Sequence, residues 1–442
     1  MPIGEQQIAL FSSVPKFPNE YFPKDRCLIS EKTIDNVCRV LRSGKWSMFT
    51  SPEIELFEEE FAELVGAKYS IFVNSCTNAI LSSLYALDLP IKPNIIAPAY
   101  TYIGTCMPLA FIDAMPIFVD IDPISQSVNT ESFEKAVAKH HVDAAILPKL
   151  FGKAIDFDEK IINICKKKNI SIIYDCAQFL GSNDFTKKYI EAGACCFSFG
   201  ESKLLRIGEG GAICTNSDKF AERVRTFRHE GEKWIFQNTS RVSGWRPKLR
   251  DAVYGLSSVQ KGLNCRPLAI AASIGRQKIA EFQNDISKFK TNAGILRAHL
   301  SGIDQLSLPS DEVQTWWSFP ILINSPYINR DVLLASLIAE GIPAGVHFPK
   351  LIPENTIFTS VCKTWDSGLN ELFPEASKFS ANHIVLPIYP ALEKDHIIDI
   401  ADCLKTLLSN PILNSEEAYL ASSKIFDTTT ISELCSGLYM FK

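Results

Sequence analysis

Short apolar runs alternate with helical patterns along the first half of the chain. Seven of these runs have the length and composition of buried β-strands, and they lie at residues 69–73, 94–97, 116–119, 143–148, 170–174, 195–199 and 211–215. Segments with helical periodicity stand between most of them, which is the order expected of a largely parallel sheet with both faces covered. The pattern therefore predicts an α/β fold.

A second, smaller region is predicted after residue 268. A long helical pattern runs from Leu268 to Leu300, and shorter ones cover residues 331–340 and 394–408. Apolar runs at residues 316–323 and 344–348 predict a small sheet. We therefore expect this region to form an α/β lobe of its own.

These patterns divide the chain into four parts. The predicted parts are an N-terminal extension at residues 1–25, a large domain at 26–265, a smaller domain at 266–410 and a tail at 411–442. Within the tail, the pattern at residues 418–426 predicts a short helix. No role for the tail follows from its sequence.

Composition and charge limit the classes of function. The chain has 442 residues, 46% of them hydrophobic, which is enough for two packed cores. Acidic residues outnumber basic ones 50 to 45, and the net charge of −5 predicts no general attraction to nucleic acid or to anionic membranes. Residues 95–112 are uncharged, but two prolines and a glycine interrupt them, so no membrane span is expected.

The cysteines and histidines indicate neither disulfides nor a metal site. The thirteen cysteines are odd in number, form no Cys-x-x-Cys motif, and partly lie in apolar runs such as residues 194–197. The seven histidines show no ligand spacing, so no metal is predicted. Residues 1–7 lack the basic and apolar segments of a signal peptide. We therefore expect reduced thiols in a cytoplasmic protein.

One lysine, Lys203, stands between a short apolar strand and a glycine-rich turn, within the segment Cys196–Gly211. A lysine amine whose neighbours lower its pKa is a nucleophile toward carbonyls, and pyridoxal phosphate (PLP) is the carbonyl cofactor most often held in this way. A solvated surface lysine is the alternative interpretation. Residues elsewhere in the chain are needed to distinguish a cofactor-binding lysine from a surface lysine.

A PLP site needs an anion cradle, a carboxylate and a flat apolar surface, and all three have candidates upstream of the lysine. Ser75, Cys76 and Thr77 follow a predicted strand at the start of a helical pattern, where free N–H groups favour a phosphate. Asp175 ends a buried strand and is suited to a pyridinium nitrogen, and Tyr102 offers an aromatic ring. An ordinary helix cap, a turn former and a core aromatic are the alternative interpretations.

Taken in order, these segments resemble the DegT/DnrJ/StrS aminotransferases, a branch of the fold type I PLP enzymes that makes amino sugars and aminocyclitols. The similar segments lie at residues 74–79, 98–102, 174–178, 197–203, 208–211, 262–272, 341–349 and 385–390. The resemblance covers about residues 26–408. It implies fold type I, with a large domain around a mostly parallel seven-stranded sheet and a smaller C-terminal α/β domain.

The resemblance implies cofactor roles for seven positions. Lys203 corresponds to the Schiff-base lysine, Asp175 to the partner of the pyridine nitrogen, and Gln178 to a hydrogen-bond donor for the phenolic oxygen. Tyr102 matches the aromatic residue that stacks on the ring. The positions that match phosphate ligands are Cys76, Thr77 and Ser198.

Three further positions relate to the subunit interface and the substrate. In the family an asparagine reaches a phosphate across the dimer interface, so Asn264 implies a homodimer with sites at its interface. Arg266 is a candidate for holding a substrate carboxylate, and His347 is a candidate at the mouth of the site. Two positions depart from the family pattern, because Cys76 stands in place of glycine and Cys265 in place of an aromatic residue.

The implied reaction moves an amino group from glutamate or glutamine to a keto sugar attached to a nucleoside diphosphate. The stretch from Arg223 to Arg250 is rich in Arg and Lys and is predicted to be a loop. It is a candidate for contacts with that anionic acceptor, or else a solvated surface. A keto-cyclitol acceptor stays open. Relatives that dehydrate sugars carry histidine at the lysine position, and a non-catalytic protein of this fold would lose Lys203 or Asp175. Both residues are present, so these two classes are disfavoured.

Overall fold

The computed structural model describes residues 8–12, 14–23, 29–153, 159–181, 183–232, 258–310, 315–359 and 367–428. The helices are α1 Ala9–Ser12, α2 Glu31–Ser43, α3 Glu53–Val65, α4 Cys76–Ala86, α5 Ile103–Phe111, α6 Thr130–Lys139, α7 Glu159–Lys168, α8 Asn183–Ala192, α9 Asp218–Arg228, α10 Ala269–Leu300, α11 Arg330–Ala339, α12 Leu369–Leu372, α13 Pro374–Asn382, α14 Lys394–Leu408 and α15 Glu416–Thr428. The strands are β1 Tyr69–Val73, β2 Asn94–Pro98, β3 Met115–Val119, β4 Ala144–Pro148, β5 Ser171–Asp175, β6 Ala194–Ser198, β7 Gly211–Thr215, β8 Leu306–Ser307, β9 Phe319–Ile323 and β10 His383–Leu386.

The first seven strands form one sheet in the order β1-β7-β6-β5-β4-β2-β3. Strands β2 to β6 pair in parallel, and β7 is antiparallel to both of its neighbours, β1 and β6. The prediction of a mostly parallel seven-stranded sheet is confirmed, and each strand begins and ends within two residues of the predicted bounds.

Both faces of this sheet are buried. In β1, Ile71 and Val73 belong to one apolar cluster and Phe72 to another, because successive side chains of a strand point to opposite faces. Helices α4, α5 and α9 pack together on one side, while α3 packs against the long helix α10. Since parallel strands end at the same edge, residues that follow β2, β5 and β6 are brought close together.

The second sheet is three-stranded, in the order β10-β9-β8. The predicted apolar run 316–323 contains β9, which confirms that part of the prediction. The prediction of a strand at 344–348 is wrong, since only Gly345 forms a bridge there, with Val385. Pro343 has no N–H to donate, and Phe348 has a left-handed φ of 51°, so the segment forms a turn beside the sheet.

Gly152, in the turn after β4, makes a tight contact with Thr315, which lies shortly before β9. Gly152 has a φ of 75°, and its carbonyl oxygen accepts a hydrogen bond of 3.0 Å from the N–H of Thr315. A β-carbon at Gly152 would lie 1.3 Å from the carbonyl oxygen of Thr315, so only glycine fits this position.

The described part of the C-terminal tail packs against the body of the protein. Helix α15 contacts α11 and also α1, and it contains the predicted helix at 418–426.

The domain boundaries predicted from the sequence remain a prediction. Among the described residues, no helix combines the length and the apolar character needed to cross a membrane.

Candidate active site

Lys203 lies in the loop between β6 and β7 and faces a cavity of about 220 Å³. Its ammonium nitrogen is 5.0 Å from the centre of the Trp317 ring. Removal from water lowers the pKa of this lysine below its ordinary value of 10.5, and the charge of Asp175 acts in the opposite direction. The side chain is therefore not a freely solvated surface lysine.

Asp175 ends β5 and lies in the same cavity, with 6% of its surface exposed. The Thr105 hydroxyl donates a hydrogen bond of 2.6 Å to one carboxylate oxygen, and the N–H of Ala177 donates one of 3.0 Å to the other. Burial raises the pKa of this carboxyl, while these hydrogen bonds and the charge of Lys203 limit the rise. The carboxylate is thus held in one orientation beside a cation.

The N-terminus of α4 forms one wall of the cavity. Ser75 caps the helix by accepting a hydrogen bond from the N–H of Asn78, and Thr77 lines the cavity in the first turn. The thiol of Cys76 points toward Asp175, 3.8 Å from the carboxylate oxygen, and burial raises its pKa well above the ordinary value. The first N–H groups of a helix have no partners within the helix, so this wall is suited to an anion.

Gly211, the first residue of β7, allows this wall to lie close to the sheet. A β-carbon there would lie 2.5 Å from the carbonyl carbon of Ser75. We predict that Gly211→Ala lowers the free energy of unfolding by about 1–3 kcal/mol, because backbone atoms have to move. We also expect it to weaken PLP binding, and both changes are measurable by denaturant titration and cofactor titration.

A matched control is available in α10. A β-carbon at Gly294 would meet nothing within 4 Å, so Gly294→Ala is expected to raise the free energy of unfolding by about 0.5–1 kcal/mol and to leave PLP binding unchanged. Equal PLP affinity of Gly211→Ala and the wild type would contradict the role of close packing at the α4 wall.

Three more predicted cofactor residues line the cavity. The Tyr102 ring lies against Gly104, where a β-carbon would approach it to 2.8 Å, and its centre is 5.8 Å from that of Phe348. Gln178 accepts a hydrogen bond of 2.9 Å from the N–H of Phe151, which orients its amide NH₂ as a donor. Ser198 ends β6 and completes this group.

Trp317 and His347 form the side of the cavity that comes from the second region of the chain. Their rings stack at 4.8 Å, and the Trp317 indole N–H donates a hydrogen bond of 2.8 Å to the carbonyl oxygen of Ser202. His347 was predicted at the mouth of the site and does line the cavity. The backbone N–H of His347 donates a hydrogen bond of 3.0 Å to the ring nitrogen Nε2 of His383, the first residue of β10.

His383 is buried in a neutral form. Its Nδ1 lies 2.8 Å from the carbonyl oxygen of Phe379 and therefore donates, so Nε2 accepts from His347. Burial lowers the pKa of His383 from 6.5 to about 4. Between these values the unfolded chain binds more protons than the folded protein, so stability should fall as the pH falls from 6.5 to 4.

The expected loss is roughly 3 kcal/mol over that range. We predict that His383→Phe removes this part of the pH dependence, measured by denaturant unfolding at a series of pH values. Identical slopes for His383→Phe and the wild type would show that His383 does not titrate in this way.

Asn264 and Arg266 do not line this cavity. The Arg266 guanidinium donates a hydrogen bond of 2.8 Å to Glu230 and lies 2.6 Å from a ring nitrogen of His229. Asn264 is exposed and forms a bridge with His229. Within one chain, therefore, neither residue is brought to Lys203.

The basic segment from Arg223 to Arg250 is only partly described. Arg223 and Arg228 lie in α9, where Arg223 pairs with Asp88 at 3.1 Å and Arg228 is buried against Glu58. These two arginines are therefore engaged within the protein, which corrects the prediction of a loop there. Residues 233–257 lie outside the described part of the chain.

Two residues of this site, Trp317 and Thr105, were not predicted from the sequence. Trp317 stands in an apolar run typical of a strand, and Thr105 stands in an apolar helix, so neither position carries a local signal. Across the described segments, no group of three or more His, Cys, Asp or Glu side chains is arranged to hold a metal ion.

The residues of this cavity fit PLP. The buried Asp175 carboxylate suits a pyridine nitrogen, the α4 N-terminus suits a phosphate, and Lys203 lines the same cavity as an amine of lowered pKa. The Cys76 thiol faces Asp175, so the departure from glycine at this position adds a hydrogen-bond donor to that carboxylate.

The fold and the site define a fold type I PLP-dependent enzyme. The sequence profile of the DegT/DnrJ/EryC1/StrS aminotransferase family matches residues 28–405, and the chain belongs to this family. It is therefore a PLP-dependent aminotransferase, as the resemblance over residues 26–408 predicted.

Named relatives extend over nearly the whole chain. The chain is 29% identical over 370 residues to UDP-2-acetamido-2-deoxy-3-oxo-D-glucuronate aminotransferase of Pseudomonas aeruginosa, covering 83% of this chain and 93% of the relative. It is 25% identical over 400 residues to the spore coat polysaccharide biosynthesis protein SpsC of Bacillus subtilis, covering 88% and 98%. A crystal structure of DesI in the presence of its TDP-sugar product has the same fold, with a TM-score of 0.77, 20% identity and coverage of 95% and 100%.

Proposed function

We propose that this aminotransferase moves an amino group from glutamate or glutamine to a keto sugar attached to a nucleoside diphosphate, in amino sugar biosynthesis. The observation that carries the proposal is that Lys203 and Asp175 share one cavity in a member of this aminotransferase family. The Pseudomonas aeruginosa relative supports the choice of acceptor, because its name describes a keto group on a UDP-linked sugar.

The proposed roles of the residues follow from their contacts. PLP, when bound, supplies a carbonyl group that accepts an amino group and a ring that withdraws electrons from the reacting carbon. Lys203, with its lowered pKa, exchanges a proton with that carbon. Asp175, oriented by Thr105, holds the positive charge of the ring nitrogen. Gln178 offers its oriented amide NH₂ to the phenolic oxygen.

The remaining proposed roles concern binding. Cys76, Thr77 and Ser198 lie where a phosphate would meet the α4 N-terminus, and Tyr102 offers a ring for stacking. We propose that Asn264, which is exposed outside its own cavity, reaches the phosphate of a second subunit in a homodimer.

We also propose a cytoplasmic location. Ten cysteines in the described segments are free thiols, and nine of them are buried. Free thiols in such number are typical of proteins kept in a reducing compartment.

The acceptor is tested with the protein in its pyridoxamine phosphate form. We expect return of the PLP absorbance on adding UDP- or TDP-linked keto sugars, and no return with free keto sugars at the same concentration. Turnover of inososes alone would instead identify a keto-cyclitol aminotransferase. Failure of glutamate and glutamine to convert the PLP form would reject the proposed donors.

A further inference from the structure

A second, smaller cavity lies next to the candidate active site. It has a volume of about 30 Å³ and shares three lining residues with the larger cavity: Ser202, Trp317 and His347. A cavity of this size holds one or two water-sized groups. It is therefore too small for a sugar or a second cofactor, but it matches the two oxygens of a carboxylate.

The polar groups of this side cavity are a guanidinium and a hydroxyl. Arg206, with 8% of its surface exposed, lines the side cavity, and its Nε donates a hydrogen bond of 2.8 Å to the carbonyl oxygen of Lys203. Ser318 is equally buried, and its hydroxyl has no hydrogen-bond partner among the described residues. A buried hydroxyl without a partner is unfavourable unless a ligand supplies one.

The other described lining residues suit an anion. They include Phe289 of α10 and residues 385–389, which begin in β10 and continue past its end. These side chains are apolar or neutral, and none is acidic. A carboxylate placed there would meet the planar donor fork of Arg206, and no described acidic residue lines the side cavity. Arg266, the arginine suggested by family resemblance, is instead paired with Glu230.

We propose that this side cavity is the carboxylate subsite for the amino donor, with Arg206 and Ser318 as its ligands. The inference rests on the proposed function, because the amino acid donor of that reaction brings a carboxylate beside Lys203. An amino acid whose nitrogen faces Lys203 can place a carboxylate past the Trp317 and His347 rings, which line both cavities. Both the α-carboxylate and the side-chain carboxylate of glutamate have the required chemistry.

The test measures the donor half-reaction of the PLP-loaded, full-length protein by the loss of PLP absorbance. Arg206→Met is expected to raise KM for glutamate by about 10- to 100-fold, the usual range for a hydrogen bond to a charged group. Ser318→Ala should raise it by about 2- to 10-fold. Arg206→Lys should restore part of the loss, because it returns the charge but not the fork.

The choice of donor distinguishes the two carboxylates. If the subsite holds the α-carboxylate, Arg206→Met raises KM for glutamate, glutamine and alanine by the same factor. If it holds the side-chain carboxylate, only glutamate is affected. The control Arg39→Met, at an arginine that is 56% exposed and lines neither cavity, should leave every KM unchanged.

A purely structural role for Arg206 predicts a different result. Asp285 of α10 is close enough for the charge of Arg206 to act on its pKa, so Arg206 has a neighbour to stabilise. In that case Arg206→Met would lower thermal stability, Ser318→Ala would have no effect on KM, and both half-reactions would slow equally. Unchanged glutamate KM in Ser318→Ala and Arg206→Lys would overturn the proposal even if Arg206→Met fails to fold.

Calorimetric titration of the PLP-loaded protein with succinate or acetate separates this inference from the proposed function. If no amino acid converts the wild type, the proposed donors are wrong, but the subsite still predicts that succinate or acetate binds to the wild type and at least about 10-fold more weakly to Arg206→Met. If the wild type is converted and none of the variants changes donor KM or succinate binding, only the subsite is rejected.

Discussion

Lys203→Ala is expected to lower the rate of amino transfer by at least about 1000-fold. The variant loses both the amine that attaches PLP and the group that moves the proton, and no other lysine lines the described part of the cavity. Added PLP should still bind through its phosphate and ring contacts. The measurement is single-turnover conversion with glutamate, followed by the PLP absorbance.

Two further measurements make this result specific. Reduction of the wild type with borohydride should fix PLP on Lys203, identified by peptide mass, and the variant should carry no such adduct. Lys405→Ala, at a surface lysine paired with Asp402, should keep the wild-type rate. Amino transfer at the wild-type rate in Lys203→Ala would mean that another group attaches the cofactor.

Asp175→Asn is expected to lower the same rate by about 100- to 1000-fold, because a neutral amide cannot balance a protonated ring nitrogen. The stability of the apoprotein, in contrast to the rate, should not fall in this variant. Burial raises the pKa of Asp175, so its ionised form destabilises the folded apoprotein as the pH rises through that pKa. At neutral pH, apo Asp175→Asn should therefore be at least as stable as the wild type.

The matched control is Asp120, another buried aspartate just after a strand of the same sheet. Its carboxylate accepts hydrogen bonds from the N–H groups of Glu375 and Ala376, so its contacts are structural. Asp120→Asn should keep the rate within a few-fold. If Asp175→Asn lost stability and activity together, as a purely structural residue would, the assigned role of Asp175 would be wrong.

The seven strands of the large sheet were predictable because a strand buried on both faces is an apolar run along its whole length. Strand β4, for example, is buried at all five positions from Ala144 to Pro148. Their ends were also informative, since Asp175 and Ser198 each occupy the last position of a strand and both line the cavity.

The second sheet was less predictable for a physical reason. Residues 344–348 are as apolar as a strand, but they are buried in a turn whose backbone is fixed by contacts such as that of His347 with His383. Strand β10 is only four residues long and pairs with β9, from which it is separated by the 59 residues 324–382. No local pattern reports such a distant pairing.

The same limit explains which site residues were missed. Trp317 and Ser318 reach the neighbourhood of Lys203 through contacts between distant parts of the chain, such as the hydrogen bond from Trp317 to Ser202, 115 residues away. Arg206 lies three residues after the lysine, yet its inward direction depends on a cavity that the sequence does not reveal. The suggestion of Arg266 came from family resemblance alone, and its pairing with Glu230 is visible only in three dimensions.

The contact between Gly152 and Thr315 fixes the chain two residues before Trp317, a span of at most about 7 Å of extended chain. A β-carbon at residue 152 would overlap the Thr315 carbonyl oxygen, so any larger residue there would displace the segment that carries the indole. The placement of the ring opposite Lys203 therefore depends on a glycine that lies 163 residues before Thr315 in the chain.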